Sequence, residues 1–75
     1  MLLVRVKMIE GVFSAAEKQE LVKRMTDAMV AVKGENIRPV TWVLCEEVKS
    51  GDWGIAGNTL TTDDVKGLLA AKSSS

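Results

Sequence analysis

Residues able to carry proton-transfer or covalent chemistry are few in this 75-residue chain. Cys45 is the single cysteine and histidine is absent, so the Cys–His pairing that activates a thiol is excluded. A thiol within the strand-like run 40–47 packs as a small hydrophobe. Glu46 and Glu47 are adjacent carboxylates, but neighbouring strand residues point to opposite faces and form no acid–base dyad. The four methionines, Met1, Met8, Met25 and Met29, fall at terminal, strand or helix-core positions and read as packing. What is left is the α-amine of Met1. Amines of this class titrate near about 7.7–8.0, close enough to neutrality for modest environmental shifts to yield a general base. An alternating run, Leu2 to Ile9, begins directly behind it, with no leader or linker ahead, so the amine is expected to be held against the folded body rather than lost in a frayed tail.

The elements that must position such a group follow from local patterns. In the first strand Leu2, Val4, Val6 and Met8 share one face, and Leu3, Arg5, Lys7 and Ile9 the other. Glu10-Gly11 ends it with a turn. Ser14-Ala15-Ala16-Glu17 fits a capping box, and Leu21, Met25, Ala28, Met29 and Val32 follow at helical spacing, with Glu20, Lys23, Arg24 and Asp27 opposite. Gly34 is a C-terminal stop. Residues 35–39 read as a polar connection in which Pro39 favours an extended Arg38, and residues 40–47 as a second strand rich in β-branched and aromatic residues. Strand, long helix and strand make a βαβ unit with parallel strands. The segment 49–58 places three glycines around Trp53 and Ile55 and reads as a hairpin or loop. Thr61 or Thr62 caps a short helix through Leu69, and residues 72–75 read as a loose tail.

Composition bounds the class. The predicted fold is α/β: a βαβ unit with two parallel strands, one long helix, a C-terminal hairpin or loop and a short helix, in a single domain over 1–75. A chain this short buries only about 60% of its unfolded surface, yet 47% of its residues are hydrophobic and the mean hydropathy is +0.11. With no disulfide or metal cluster to staple it, the surplus apolar surface is expected to be buried by oligomerisation, which also completes the sheet. Ten basic and ten acidic residues cancel, so neither nucleic acid nor an anionic membrane is an expected partner. No apolar run approaches a membrane span, and a cytoplasmic location is expected.

The order of strand, Glu10-Gly11, capped helix with Glu17-Lys18-Gln19, second strand ending Glu46-Glu47, and then Gly51-Asp52-Trp53-Gly54-Ile55-Ala56-Gly57 resembles the 4-oxalocrotonate tautomerase family. The strongest local likeness is Glu47 to Gly57, and the resemblance covers almost the whole chain; the alternative is another small oligomeric βαβ domain. The resemblance implies a cofactor-independent isomerase that uses an amino-terminal proline as general base in keto–enol tautomerisation of small unsaturated acids, with arginines on the substrate carboxylates and an aromatic residue in the pocket. Family members assemble as dimers or as hexameric trimers of dimers, and homo-oligomerisation is implied here.

Carried onto this chain, the proline position is Leu2, whose side chain is not competent. A small second residue normally accompanies methionine removal, so Met1 is expected to stay. Its primary amine then stands one residue further out, about 3.3–3.6 Å by chain geometry, against the roughly 2.6–3.2 Å that proton transfer needs. Where classical members place arginines, this chain has Val12-Phe13 and Trp42; Arg38 is the implied substrate-binding arginine and Arg5 a second possibility. Trp53 stands at the pocket aromatic, and it also reads as an interface anchor. Trp42 reads as core or interface. Two functions follow: a tautomerase-type isomerase of a small enolisable or unsaturated carboxylic acid, with activity impaired by loss of the proline, or a non-catalytic assembly or binding member of the same fold.

Overall fold

A computed structural model describes residues 1–73. Strand β1 (Leu2–Ile9) leads to helix α1 (Ala15–Lys33), a 3-10 helix (Glu35–Val40), strand β2 (Thr41–Val48), the short strands β3 (Trp53–Ile55) and β4 (Asn58–Leu60), and helix α2 (Thr62–Ser73). β1 and β2 are parallel neighbours in one two-stranded sheet, and β3 and β4 form another. By its contacts the chain forms two compact units, Met1–Val6 with Phe13–Glu46, and Lys7–Val12 with Glu47–Ser75.

In the first unit α1 is nucleated by the expected capping box. The Glu17 N–H donates to Ser14 Oγ at 3.1 Å, and the Ser14 N–H donates to Glu17 Oε1 at 2.8 Å. Both bonds satisfy donors that a helix start otherwise leaves orphaned. The Gly34 N–H closes the other end on the Val30 carbonyl at 2.7 Å. The helix does not present the expected stripe in full. Leu21, Met25 and Met29 are half-buried, but Ala28 is exposed and Val32 is 83% exposed; Val22, Thr26 and Val30 take their place. Both rows neighbour the same central residues at spacings of three and four, so periodicity alone does not choose between them.

Residues 35–40 depart from the expected extended connection. A 3-10 helix eclipses side chains three apart, which sets Glu35 beside Arg38, and the guanidinium Nε lies 2.8 Å from Glu35 Oε1. The Thr41 hydroxyl donates to the Ile37 carbonyl at 2.7 Å and the Thr41 N–H to the Arg38 carbonyl. These local bonds outweigh the extending influence of Pro39.

The β1–β2 sheet shows its two faces by alternation. Leu2, Val4 and Val6 with Thr41, Val43 and Cys45 are half-buried, while Leu3, Arg5, Trp42 and Leu44 are exposed. A crossover helix covers one face of such a sheet, and α1 followed by the 3-10 helix makes the crossover between these strands. Trp42, at 53% exposure, is thus no core residue of the single chain.

The second unit holds the two buried apolar side chains among the described residues, Met8 and Ile9, each 4% exposed. Around them runs a polar lock. The Glu10 N–H donates to the Val48 carbonyl at 2.8 Å; the Ser50 N–H donates to Glu10 Oε1 at 2.9 Å; the Thr62 N–H donates to Ser50 Oγ at 2.9 Å, and the Thr62 hydroxyl to the Glu10 carbonyl at 2.6 Å. Gly11, at φ 83°, makes the turn beneath it. The glycine-rich segment is a hairpin: Trp53 faces Leu60, Gly54 faces Thr59, Ile55 faces Asn58. Ala56 and Gly57 at its tip both have positive φ, 51° and 83°, the backbone signature of a tight hairpin turn. Thr61, rather than Thr62, caps α2 through a reciprocal pair with Asp64 at 3.2 and 2.9 Å. Of the expected tail, residues 72 and 73 belong to α2, and the last two lie outside the described residues.

Candidate functional site

Met1 precedes β1 and is 86% exposed. The amine is therefore not held against the folded body, because the strand ladder begins only at Leu2. Leu2 is half-buried on the same face as Val4 and Val6.

Arg38 projects from the 3-10 helix into two carboxylates. Its Nε and Nη2 reach Glu35 at 2.8 and 3.3 Å, and its Nη1 reaches Asp27 Oδ1 at 2.9 Å. These bonds hold the guanidinium above its ordinary pKa, the hydrogen bond to Glu35 contributing most. The same bond holds the Glu35 carboxyl below the usual carboxylate range. Of five guanidinium N–H groups, these contacts engage three and leave two to address a further anion. Asp27 and Glu35 were not site candidates on sequence. The spacing of three between Glu35 and Arg38 carried a signal, but only if that stretch is helical.

Arg5 is likewise paired. Nε and Nη2 lie 2.8 and 2.9 Å from the two oxygens of Glu46, a fork-to-fork geometry across the sheet. The hydrogen bond to Glu46 is the main reason that its pKa is raised. Trp53, in the second unit, is half-buried at the start of β3, opposite Leu60. Cys45 is half-buried on the sheet face away from Arg5. Among the described residues no cluster of three or more His, Cys, Asp or Glu residues is arranged to hold a metal ion, and no helix is long and apolar enough to cross a membrane.

A shallow depression of about 280 Å³ on the first unit is lined by Phe13, Glu17, Glu20, Leu21 and Arg24. It contains none of the candidate residues. Its two carboxylates against one arginine, itself 3.5 Å from Glu20, make it a poor receptor for an organic acid.

The sequence matches the tautomerase enzyme family over residues 3–63. A solved homologue of 4-oxalocrotonate tautomerase is 29% identical, with a TM-score of 0.69 over 79% of this chain and 90% of its own. DmpI from Helicobacter pylori is 25% identical, with a TM-score of 0.61 over 92% of this chain and 94% of its own. No functionally curated protein matches significantly. Met1 and Leu2 lie ahead of the matched span. That span runs from β1 through the capped helix, β2 and the Trp53 hairpin into the first turn of α2, and with a match over so much of its length the chain belongs to the tautomerase family.

Proposed function

We propose that this protein is a tautomerase-type isomerase of a small enolisable or unsaturated carboxylic acid, working as one self-associating domain without a cofactor. Family membership over residues 3–63 is the observation that carries the reading. In this scheme the two N–H groups of Arg38 not engaged by Glu35 and Asp27 bind the substrate carboxylate. A neutral Met1 amine removes the enol hydroxyl proton as the enolate forms, and the resulting ammonium returns a proton to the conjugated carbon. Trp53 supplies apolar contact to the substrate. Assembly as a dimer or trimer of dimers brings the exposed terminus of one copy under cover of another, which gives the amine the dry surroundings it lacks in the single chain.

The test is the rate at which phenylenolpyruvate or 2-hydroxymuconate ketonises with the purified protein and with Leu2→Pro, after intact mass has established which residue bears the amine. A rate above buffer that falls with Arg38→Ala supports the proposal. No rate with the natural chain and a restored rate with Leu2→Pro sinks it for this chain while leaving the family in place. That outcome points to the second reading, a non-catalytic assembly or binding member, which the exposure of Met1 and the leucine at position 2 favour.

A further inference from the structure

The chain has three arginines, Arg5, Arg24 and Arg38, and each already meets a carboxylate. Arg5 is forked onto Glu46, Arg24 lies 3.5 Å from Glu20, and Arg38 is held by two acids, Glu35 and Asp27. The three side chains of the Arg38 cluster therefore sum to one negative charge. The charges that act on Arg38 are those of Glu35 and Asp27, and those that act on Glu35 are those of Arg38 and Asp27. The α1 lysines, Lys18, Lys23 and Lys33, enter neither set, so they do not offset the excess at the guanidinium.

We infer that Asp27 and Glu35 are specificity-determining residues: they let Arg38 take one carboxylate and turn away a second, so that the substrate is a monocarboxylate with a non-ionic far end rather than a dicarboxylate. The inference rests on the substrate-binding role given to Arg38 above and narrows the substrate class of that site. Of the two acids named there, phenylenolpyruvate carries one carboxylate and 2-hydroxymuconate carries two. The first is favoured.

Two effects act at different ranges. The first carboxylate gains at contact, because Arg38 keeps one N–H on Nη1 and one on Nη2 and charge-assisted hydrogen bonds are the strong ones. A second carboxylate on the same molecule makes no such contact. It meets the cluster only as a net negative charge, and the chain holds no arginine without a carboxylate of its own to clamp it. A lysine supplies a point charge but not the planar fork. A guanidinium without these two acids would attract the second carboxylate instead, so the acids reverse the sign of the preference. Arg38 and Asp27 are 43% and 48% exposed, which keeps the dielectric close to that of water. There, one extra negative charge roughly 6 Å away changes affinity about threefold, and salt screens the effect.

The experiment titrates the full chain with sorbate and with trans,trans-muconate, unreactive acids that share one diene chain and differ in the second carboxylate. Binding is read from the Arg38 side-chain N–H signals by NMR, and the quantity compared is the ratio of the two affinities. Sorbate is expected to be the tighter ligand at about 10 mM salt, and its advantage is expected to shrink about threefold at about 1 M. Asp27→Asn removes a charge yet keeps an oxygen that accepts from Nη1. It is expected to lower the sorbate-to-muconate ratio about threefold at low salt, mainly by tightening muconate, and to abolish the response of the ratio to salt. If Asp27→Asn fails to fold by far-UV circular dichroism, Glu35→Gln replaces it with the same expectation. Muconate as the tighter ligand of the natural chain, or a ratio unchanged in the folded variant, overturns the inference and leaves the isomerase reading standing. Arg38 signals that neither acid moves, with phenylenolpyruvate still turned over, overturn the inference and strike Arg38 from the proposed site. Sorbate-selective binding without turnover upholds the inference and strikes the isomerase reading.

Discussion

The two units satisfy their polar and apolar groups in opposite ways. The second, Lys7–Val12 with Glu47–Ser75, buries Met8 and Ile9 and links Glu10, Ser50 and Thr62 through backbone and side-chain hydrogen bonds. The first, Met1–Val6 with Phe13–Glu46, buries no side chain fully. It arranges charge as ion pairs, Arg5 with Glu46 and Arg38 with Asp27 and Glu35, and leaves Leu3, Trp42 and Leu44 open. The contrast teaches where a small domain becomes self-sufficient. The second unit holds the buried apolar pair while still exposing Ile55, Leu68 and Leu69, and the first holds the candidate anion-binding arginine.

The largest expected effect comes from emptying the core of the second unit. Ile9→Ala should cost about 2–5 kcal/mol, the range for truncating a buried aliphatic side chain, whereas Val32→Ala in the first unit should stay within about 0.5 kcal/mol. Urea unfolding at one fixed chain concentration measures both, since self-association makes stability concentration-dependent. Equal effects would erase the contrast between the units.

Gly11→Ala comes next. At φ 83° a side chain is strained, and a Cβ there would stand 3.1 Å from Thr62 Cγ2. Thr62 is held by bonds to Glu10 and Ser50 and retreats only by loosening them. A loss of about 1–3 kcal/mol is expected, with faster amide exchange at Thr62; unchanged exchange would show that the polar lock does not hold the turn.

Ser14→Ala removes the acceptor that caps α1 and should cost about 1 kcal/mol, read in the same unfolding assay. Its main visible trace should be faster amide exchange in the first turn of α1, because the Glu17 N–H loses its partner.

The smallest effect is the response of the Arg38 cluster to acid. The Glu35 carboxyl titrates below its unfolded value because Arg38 donates to it. Its stabilisation is therefore complete above the ordinary carboxylate range and disappears as the pH falls through the lowered value. Both groups are solvent-exposed, so the effect on stability is modest. Carboxyl NMR should show the Glu35 midpoint below the usual value and moving up in Arg38→Ala; an unmoved midpoint would mean that the arginine is not held as described.

Local signals are plain in the sequence. Ser14 and Glu17 announce the helix start because both capping bonds lie within three residues, and the alternation from Leu2 to Met8 announces the strand because its period is built into the backbone. The three glycines around Trp53 and Ile55 marked that segment as a hairpin or loop. Other features were not legible. The choice of Val22, Thr26 and Val30 over Ala28 and Val32 depends on which side of α1 meets the sheet. The 3-10 helix at Glu35–Val40 overrides the usual consequence of a proline because Thr41 and Arg38 find partners only in that conformation. Of the candidate site, the sequence pointed to Leu2, Met1, Arg38 and Trp53 by family likeness, but not to the exposure of the terminal amine, nor to Asp27 and Glu35 as holders of Arg38.

The sequence by itself determined the elements, their order, the strand alternation and the family, because each is carried by groups close along the chain or by a pattern spanning residues 3–63. The tertiary structure alone decided which arginine meets which carboxylate. Arg5 and Glu46 lie 41 residues apart, and Arg38 and Asp27 lie 11 apart. Charge attraction has no preference along the sequence; it acts through space, and only the folded chain fixes those distances.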